Sequence, residues 1–487
     1  MVKYIQVDHE KRVMNLVDKQ LLKEVLDQAL QKGGDFGDIF LEHKKTTAIR
    51  CEAGRIEKIQ TGVDIGAGLR VISGEATAYA YTNDLSRESL LNVAGIVSHA
   101  AATGKKNVNL NFTEVQPLVE FNFTQRPGDV STDRKVAVVE AAEQAARTVD
   151  PARIKQVIVG YGDLVQQVTI ANSEGDFVED ERVRTRLVVQ AIAASGAAMQ
   201  TGYEAVGSLS GSELFATEQP DLIGEAAARQ AVNMLEAQPA PAGRMPVVIA
   251  GEAGGTMVHE ACGHGLEADL VQKGLSVYAN KKGQVVAADV VSVVEDPTLN
   301  VRYGSYRFDD EGVPSRKVTL IENGVLNGYM YDRLTATKDG VNSNGHGRRE
   351  SYQHKPIPRM GNTFIAPGKT DPAKILRETG TGLLVKKMGG GQVNTTTGDF
   401  VFDVAEGYLI KDGEAGPMVR GATLTGNGPE VLRIVEMVGS DLGFTIGTCG
   451  KDGQGVPVSD AQPTIAIKQL IVGGTATGPA NGKIMRI

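Results

Sequence analysis

The segment HEACGH, at residues 259–264, places two histidines five positions apart with a glutamate directly after the first. Two imidazoles and a nearby carboxylate are the groups of a catalytic zinc site, because the imidazoles hold the ion and the carboxylate accepts a proton from water. The segment therefore predicts metal ligands at His259 and His264 and a general base at Glu260. Histidines that only cap a helix end are the alternative interpretation.

The spacing of the two histidines restricts the backbone. In a regular α-helix the second side chain would point about 140° away from the first. A π-helical turn would bring the two rings to one side. A helix that ends at His264 is the second solution, because Gly263 and Gly265 permit conformations that other residues avoid.

A catalytic zinc site also needs a third protein ligand, with one position left open. The candidates are Cys449, Cys262, Glu267, Asp269, His346 and His354. Cys449 lies in the sequence GTCG, before the glycine-rich KDGQG. Such a loop can bring a thiolate, which is a preferred zinc ligand, close to an ion. A buried structural cysteine is the alternative for Cys449.

The other candidates near the motif have different expected roles. Cys262 is interpreted as a core residue, because chelation from within the same helical turn would be crowded. Glu267 and Asp269 follow the motif and are expected either to orient a ligand or to face solvent.

A polar segment at residues 345–352, GHGRRESY, carries the substrate-binding candidates His346, Arg348 and Tyr352. Such side chains stabilise a developing oxyanion or hold substrate carbonyls. A solvated loop with structural ion pairs is an equal alternative for each of them. The acidic turn at residues 309–312 is predicted to be solvated rather than to bind a cation.

Length, charge and cysteine content narrow the class of protein. A chain of 487 residues predicts two or three domains. Its net charge of −8, without a basic stripe, argues against direct binding of nucleic acid. No apolar run reaches the length of a membrane span, and the first residues lack the apolar centre of a signal peptide. Three scattered cysteines are too few for a disulfide framework, so a cytoplasmic location is predicted.

Residues 1–238 are predicted to form an N-terminal α+β domain. Apolar periodicity and capping residues predict helices at 18–31, 84–101, 131–147 and 221–236. Strands are predicted at 39–42, 47–51, 56–62, 66–73, 79–82, 157–161, 165–171 and 184–194. These elements come in blocks rather than in strict alternation, which favours an α+β arrangement.

A proline-rich stretch at residues 237–246 predicts the domain boundary, so residues 239–487 are expected to form the C-terminal domain. Its predicted strands are 247–250, 285–294, 316–321, 325–331, 400–409 and 464–470. The dipeptide Asn323-Gly324 predicts a hairpin turn. This domain is expected to be mostly β and to carry the HExxxH helix against a sheet.

Four segments resemble the TldD branch of the TldD/PmbA peptidase family. They are GGTMVHEACGHGLEAD, GSYRFDDEGVPSRKVTLIENGVLNGYMYD, NGHGRRESYQHKPIPRMGNT and GTCGKDGQ, and they follow one another across residues 246–487. The resemblance implies a zinc-dependent endopeptidase. It matches His259, His264 and Cys449 to metal ligands and Glu260 to the general base.

The resemblance also implies a dimer, in which a metal-bearing subunit pairs with a TldE/PmbA-like paralogue that lacks the histidines. This chain would then be the catalytic subunit, paired with such a paralogue or with itself. We expect extended or unfolded peptides as substrates, bound largely through their backbone at a sheet edge. The alternative function is a non-catalytic protein-binding modulator, for example of DNA gyrase, to which the family has been linked.

Overall fold

The computed structural model describes residues 16–101 and 110–476, and its fold is mixed α+β. The helices are α1 (Lys19–Ala29), α2 (Arg87–Ala100), α3 (Thr132–Val149), α4 (Pro220–Glu236), α5 (Thr256–Val258), α6 (Ala268–Gln272), α7 (Arg333–Asp339), α8 (Pro372–Thr379) and α9 (Gly428–Arg433). The strands up to the proline-rich stretch are β1 (Phe36–Glu52), β2 (Arg55–Ser73), β3 (Ala76–Thr82), β4 (Thr113–Glu114), β5 (Ile154–Asn172), β6 (Asp176–Ser195) and β7 (Ala198–Ser208).

The later strands complete the fold. They are β8 (Gln238–Pro239), β9 (Gly243–Ile249), β10 (Val293–Glu295), β11 (Val318–Glu322), β12 (Val325–Leu326), β13 (Gly347–Arg348), β14 (Ile357–Pro358), β15 (Asn362–Ile365), β16 (Gly382–Val393), β17 (Asp399–Lys411), β18 (Glu414–Arg420), β19 (Thr423–Asn427), β20 (Val435–Val438), β21 (Gly443–Lys451), β22 (Gln454–Gln462) and β23 (Ile465–Gly473). Across the described residues, no helix combines the length and the hydropathy needed to span a membrane.

The four long helices lie close to where capping residues and apolar periodicity predict them. The side chains of Asp18, Ser86 and Ser131 each accept a hydrogen bond from a backbone N–H in the first turn of α1, α2 and α3. These bonds satisfy backbone donors that the helix itself leaves free. Local sequence is therefore sufficient to determine where these helices begin.

The first sheet has the order β3-β2-β1-β5-β6-β4, and β7 also pairs with β6. Its strands are longer than predicted, since the separate runs at 39–42 and 47–51 are parts of the single strand β1. In β1 the polar residues between the two runs pair with both β2 and β5. Backbone pairing on both sides continues the strand where the side chains alone do not indicate it.

The two faces of the first sheet are covered differently. Ile39 and Leu41 of β1 pack in an apolar core with Leu22 and Leu26 of α1. Because side chains alternate along a strand, Phe40 points to the opposite face, where it contacts Phe308 and Tyr352 from the second half of the chain. This opposite face therefore joins the N-terminal sheet to residues 303–352.

Two large sheets and the small antiparallel pair β13-β14 are formed by the second half of the chain. One has the order β12-β11-β10-β15-β22-β21, and the other has the order β16-β9-β23-β19-β17-β18-β8 with β20 paired to β23. The predicted hairpin turn is confirmed, because Glu322 pairs with Val325 around Asn323-Gly324. Both turn residues have positive φ, at 47° and 80°, as a two-residue hairpin loop requires.

Two predicted strands in this half are largely wrong. The run at 285–294 is a strand only from Val293, and the run at 325–331 ends as a strand at Leu326. Val286 and Val291 are buried, while the amide of Val286 donates to the carbonyl of Gly324 outside any strand ladder. The apolar pattern of the first run thus reflects burial rather than strand pairing.

The HExxxH segment packs between the two sheets of the second half. Val258 and Cys262 share one core with Ile249 of β9 and Val458 of β22. The predicted domain boundary, between residues 238 and 239, falls inside β8, just after the end of α4, and it stays a prediction.

Candidate metal centre

The HExxxH segment is a composite helix and not a regular α-helix. α5 ends at Val258, a π-helical turn covers His259–Gly263, and a 3-10 turn covers His264–Leu266. The amide of His264 donates to the carbonyl of His259, which is the i to i+5 bond of a π turn. As a result the two imidazole rings lie on one side, with their centroids 4.9 Å apart.

Neighbouring residues stabilise this π-helical turn. The hydroxyl of Tyr278 donates a hydrogen bond of 3.1 Å to the carbonyl of Ala261 inside the turn. A Cβ atom at Gly263 would overlap the sulfur of Met360. Only glycine allows this close approach, so Gly263 contributes through packing as well as through conformational freedom.

Cys449 approaches the histidines from a strand. We predicted a glycine-rich loop, but Cys449 lies within β21, paired with Val456 of β22. The glycine-rich residues that follow form the turn of this hairpin. The Sγ atom of Cys449 is 3.5 Å from Nε2 of His264. One potential donor atom from each of His259, His264 and Cys449 lies within 4.8 Å of the other two.

A carboxylate holds each of the two imidazoles. Nδ1 of His259 is 2.7 Å from Oδ1 of Asp460, and Nδ1 of His264 is 3.1 Å from Oε2 of Glu267. With Nδ1 engaged in this way, Nε2 is the nitrogen that each ring has left for another ligand. Glu267 is fully buried, so the predicted orienting role fits it and the alternative of facing solvent is wrong.

Sequence reasoning missed Asp460. It lies on β22 and no local motif marks it, since its contact with the HExxxH segment arises from the packing of α5 and the π turn on this strand. Its only signal in the sequence is its place on the strand that pairs with the Cys449 strand.

The charges of the cluster favour a cation. Burial lowers the pKa of His264, but Glu267 and Cys449 outweigh this effect and raise it to about 10. Burial raises the pKa of Cys449, yet the imidazoles of His259 and His264 bring it well below its ordinary value. The same field that holds protons on the imidazoles beside a thiolate would stabilise a bound metal ion in their place.

Glu260 differs from the other acidic groups of the centre. It is half-buried, and no hydrogen bond or ion pair to its carboxylate is found among the described residues. Burial raises its pKa, an effect that His259 and His264 partly oppose. A carboxylate that has no partner among the described residues, and lies beside the imidazoles of His259 and His264, is available to accept a proton.

The three substrate-binding candidates lie in buried hydrogen-bond networks outside the ligand cluster. Nδ1 of His346 is 2.9 Å from Oδ1 of Asn344. Arg348 donates to the carbonyls of Met360 and Pro457. The hydroxyl of Tyr352 donates to Asp64 at 3.2 Å. These contacts give the three residues a structural role, and their role in substrate binding stays a prediction.

The remaining ligand candidates are also outside the cluster. Cys262 lies in the core, as predicted, and burial raises the pKa of its thiol to about 12. Asp269 accepts a hydrogen bond of 2.6 Å from Lys451, and Nδ1 of His354 is 3.0 Å from Oγ of Ser351.

The prediction of a solvated acidic turn at residues 309–312 is wrong. Asp310 and Glu311 are buried, at 2.5 Å from Arg182 and 2.7 Å from Arg70 respectively. Both arginines come from the N-terminal sheet, so two carboxylates of the turn are paired with residues that are distant in sequence.

Family models match most of the chain. They are the PmbA/TldA metallopeptidase domain 1 at residues 37–101, the central domain at residues 125–235 and the C-terminal domain at residues 242–474. A metalloprotease TldD homolog from Haemophilus influenzae is 34% identical over 466 residues, which cover 94% of this chain and 96% of that protein. A metalloprotease from Methanothermobacter thermautotrophicus is 33% identical, over 91% of this chain and 96% of that protein.

Two solved structures share this fold at a sequence identity below that of the relatives above. A candidate modulator of a DNA gyrase from Thermotoga maritima has a TM-score of 0.74 at 23% identity, covering 90% of this chain and 96% of that chain. TldE from Thermococcus kodakarensis has a TM-score of 0.73 at 19% identity, covering 93% and 99%. These two likenesses bear on the fold alone.

Proposed function

This chain belongs to the PmbA/TldD metallopeptidase family, and from that premise we propose that it is a zinc-dependent endopeptidase of extended or unfolded peptides. His259, His264 and Cys449 are the proposed ligands, and Glu260 is the proposed general base. The observation that carries the proposal is the convergence of three donor atoms within 4.8 Å, beside a carboxylate that has no protein partner among the described residues.

The donor set fits zinc. Two imidazole nitrogens and one thiolate are zinc ligands, and three protein ligands leave a position open, as in catalytic sites. The carboxylates of Asp460 and Glu267 orient the rings from behind. When bound, zinc would polarise a peptide carbonyl and lower the pKa of a neighbouring water molecule.

Glu260 supplies the proton transfer in this proposal. Its carboxylate accepts a proton from the attacking water and delivers it to the nitrogen of the leaving amine. The upward shift of its pKa supports this role, because it makes the group a better base than an exposed glutamate.

The strand that carries Cys449 suggests how a peptide binds. Among the described strands, β21 is the outermost of its sheet and pairs only with β22, through the hairpin that turns at Asp452-Gly453. Along an antiparallel pair, the N–H and C=O groups of successive residues point alternately toward the partner strand and away from it. Those of Thr448 and Gly450 point away from β22, and both residues are exposed. An extended peptide that pairs with this edge would lie beside the ligand cluster.

Elemental analysis together with a peptidase assay tests the proposal. Protein purified without added metal should contain about one zinc per chain, and His259→Ala or His264→Ala should lose it. Glu260→Ala should keep the zinc and lose hydrolysis of an unfolded peptide, since it removes the base and no ligand. Wild-type protein without a transition metal, or full activity of Glu260→Ala, would refute it.

A second candidate function is a non-catalytic modulator of a partner protein such as DNA gyrase. The solved protein from Thermotoga maritima carries that description, and this chain shares its fold. In this case the histidines are structural, and His264→Ala leaves the partner interaction intact. Loss of peptidase activity in His264→Ala, measured with the same preparation, favours the enzyme.

We further propose that the chain acts in the cytoplasm as the catalytic subunit of a dimer, with a TldE/PmbA-like paralogue or with itself. The three cysteines are unpaired, which suits a reducing compartment.

β3 pairs with β2 only from Ala67 onward, and the preceding part of β2 exposes Ile59 and Val63. An unpaired strand edge with exposed apolar side chains is a site at which another chain can pair. A stable monomer with full peptidase activity in light scattering would contradict the dimer.

A further inference from the structure

Glu267 lies between the two elements that carry the proposed ligands. Its Oε2 atom is 3.1 Å from Nδ1 of His264 and also 3.1 Å from Nζ of Lys451. Lys451 is two residues after Cys449 on β21, so both side chains point to the same face of the strand. One buried carboxylate thus connects the histidine segment to the thiolate strand.

Lys451 is held firmly in this position. Its ammonium group donates to Asp269 at 2.6 Å and to the carbonyl of Pro358 at 2.9 Å, in addition to its contact with Glu267. Three acceptors match the three N–H donors of a lysine. The side chain is only 7% exposed, so water contributes little to its hydrogen bonding.

A second buried cation reinforces the connection. Arg359 is fully buried and donates to the backbone carbonyl of Cys449 and, at 3.3 Å, to that of Gln454. Its Nε atom is 4.0 Å from Oε1 of Glu267. Lys451 and Arg359 therefore both lie beside the carboxylate of Glu267.

We propose that Lys451 is a positioning residue for the metal centre. By holding Glu267 against Nδ1 of His264, it keeps Nε2 of that ring directed toward Cys449. It also fixes the distance between the two elements that supply the ligands. Without the ammonium group, the buried carboxylates of Glu267 and Asp269 would lose this shared counter-charge, and Glu267 would lose one of the contacts that orient it.

The inference rests on the proposed function, and metal binding by Lys451→Met tests it. Zinc affinity is measured by competition with a chelator, and the geometry of the centre by the visible spectrum of the cobalt-loaded protein. We expect the dissociation constant for zinc to rise by about 10- to 100-fold, with a weaker thiolate-to-cobalt band. Lys273→Met is the matched control, because Lys273 is 58% exposed and contacts Asp269 at 3.7 Å. It should bind zinc like the wild type.

Glu267→Gln tests the same connection from the other end and covers the case in which Lys451→Met does not fold. It keeps the size of the side chain but removes the charge, so zinc affinity should fall, as it should in Lys451→Met. Wild-type affinity and an unchanged cobalt spectrum in either folded variant would overturn the inference while leaving the proposed function intact. Failure of the wild-type protein itself to bind zinc would instead refute the proposed function.

Discussion

Nδ1 of His259 lies 2.7 Å from Oδ1 of Asp460, although the two residues are 201 positions apart in the chain. Asp460 is buried on β22, the strand that pairs with the Cys449 strand. One hairpin therefore brings both the proposed thiolate ligand and the carboxylate that orients the first histidine. The metal centre depends on this hairpin as much as on the HExxxH segment.

Asp460→Asn should weaken zinc binding without removing a ligand. The amide is a poorer acceptor for Nδ1 of His259, so the ring is held less well, and the dissociation constant for zinc should rise by about 10- to 100-fold. Chelator competition measures the change. Asp452→Asn, at the exposed turn of the same hairpin, is the control and should bind zinc like the wild type. Equal affinities in the two variants would contradict the orienting role.

Cys449→Ser should lose most of its zinc, because a serine hydroxyl is a poor substitute for a thiolate. Cys262→Ala should keep a full complement of zinc and lose only about 1 kcal/mol in the free energy of unfolding, from packing. Zinc content after dialysis and urea unfolding separate the two effects. The reverse pattern, with zinc lost from Cys262→Ala, would identify the other thiol as the ligand.

Thr448→Pro should impair peptide binding while zinc is retained. Proline removes an N–H that points away from β22, so the hairpin keeps its own ladder and only the free edge changes. The loss of one backbone hydrogen bond, about 1 kcal/mol, corresponds to a rise of roughly fivefold in KM for an unfolded peptide. Thr448→Val keeps the N–H and should behave like the wild type. An unchanged KM in Thr448→Pro would exclude this edge as the binding strand.

Asp332 should make stability depend on pH. Burial and the neighbouring carboxylate of Glu311 raise its pKa to about 7. A folded-state pKa above the unfolded value means that the folded protein binds the proton more tightly. The contribution of Asp332 to the free energy of unfolding therefore falls as pH rises from about 4 to about 7.

Asp332→Asn removes this contribution while keeping an N-cap acceptor for the amide of Thr335. At each pH, urea unfolding gives the free energy of unfolding of the variant minus that of the wild type. This difference should be more positive at about pH 8 than at about pH 5. Asp371→Asn, at the exposed N-cap of α8, is the control and should show no such difference. If both variants changed with pH in the same way, Asp332 would not be the source of the pH-dependent stability.

Much of the local structure could be predicted from the residues. The starts of α1, α2 and α3 follow from Asp18, Ser86 and Ser131, because a capping side chain bonds to amides two or three positions away. The Asn323-Gly324 turn follows from the same kind of short-range preference. Strand lengths and the irregular run before Val293 could not be predicted, since partner strands decide where pairing continues.

The sequence by itself determined the donor chemistry of the candidate site: two imidazoles at a spacing that a π turn accommodates, a carboxylate between them and a cysteine as the proposed third ligand. Only the tertiary structure decided which carboxylates stand behind the rings, that Lys451 and Arg359 meet Glu267, and that the acidic turn at 309–312 is buried against arginines of the N-terminal sheet. The physical reason is range. Helix caps, turns and motif spacing act within a few residues. These charge pairs form only when the order of strands brings distant segments together. Burial then strengthens the electrostatic attraction within each pair.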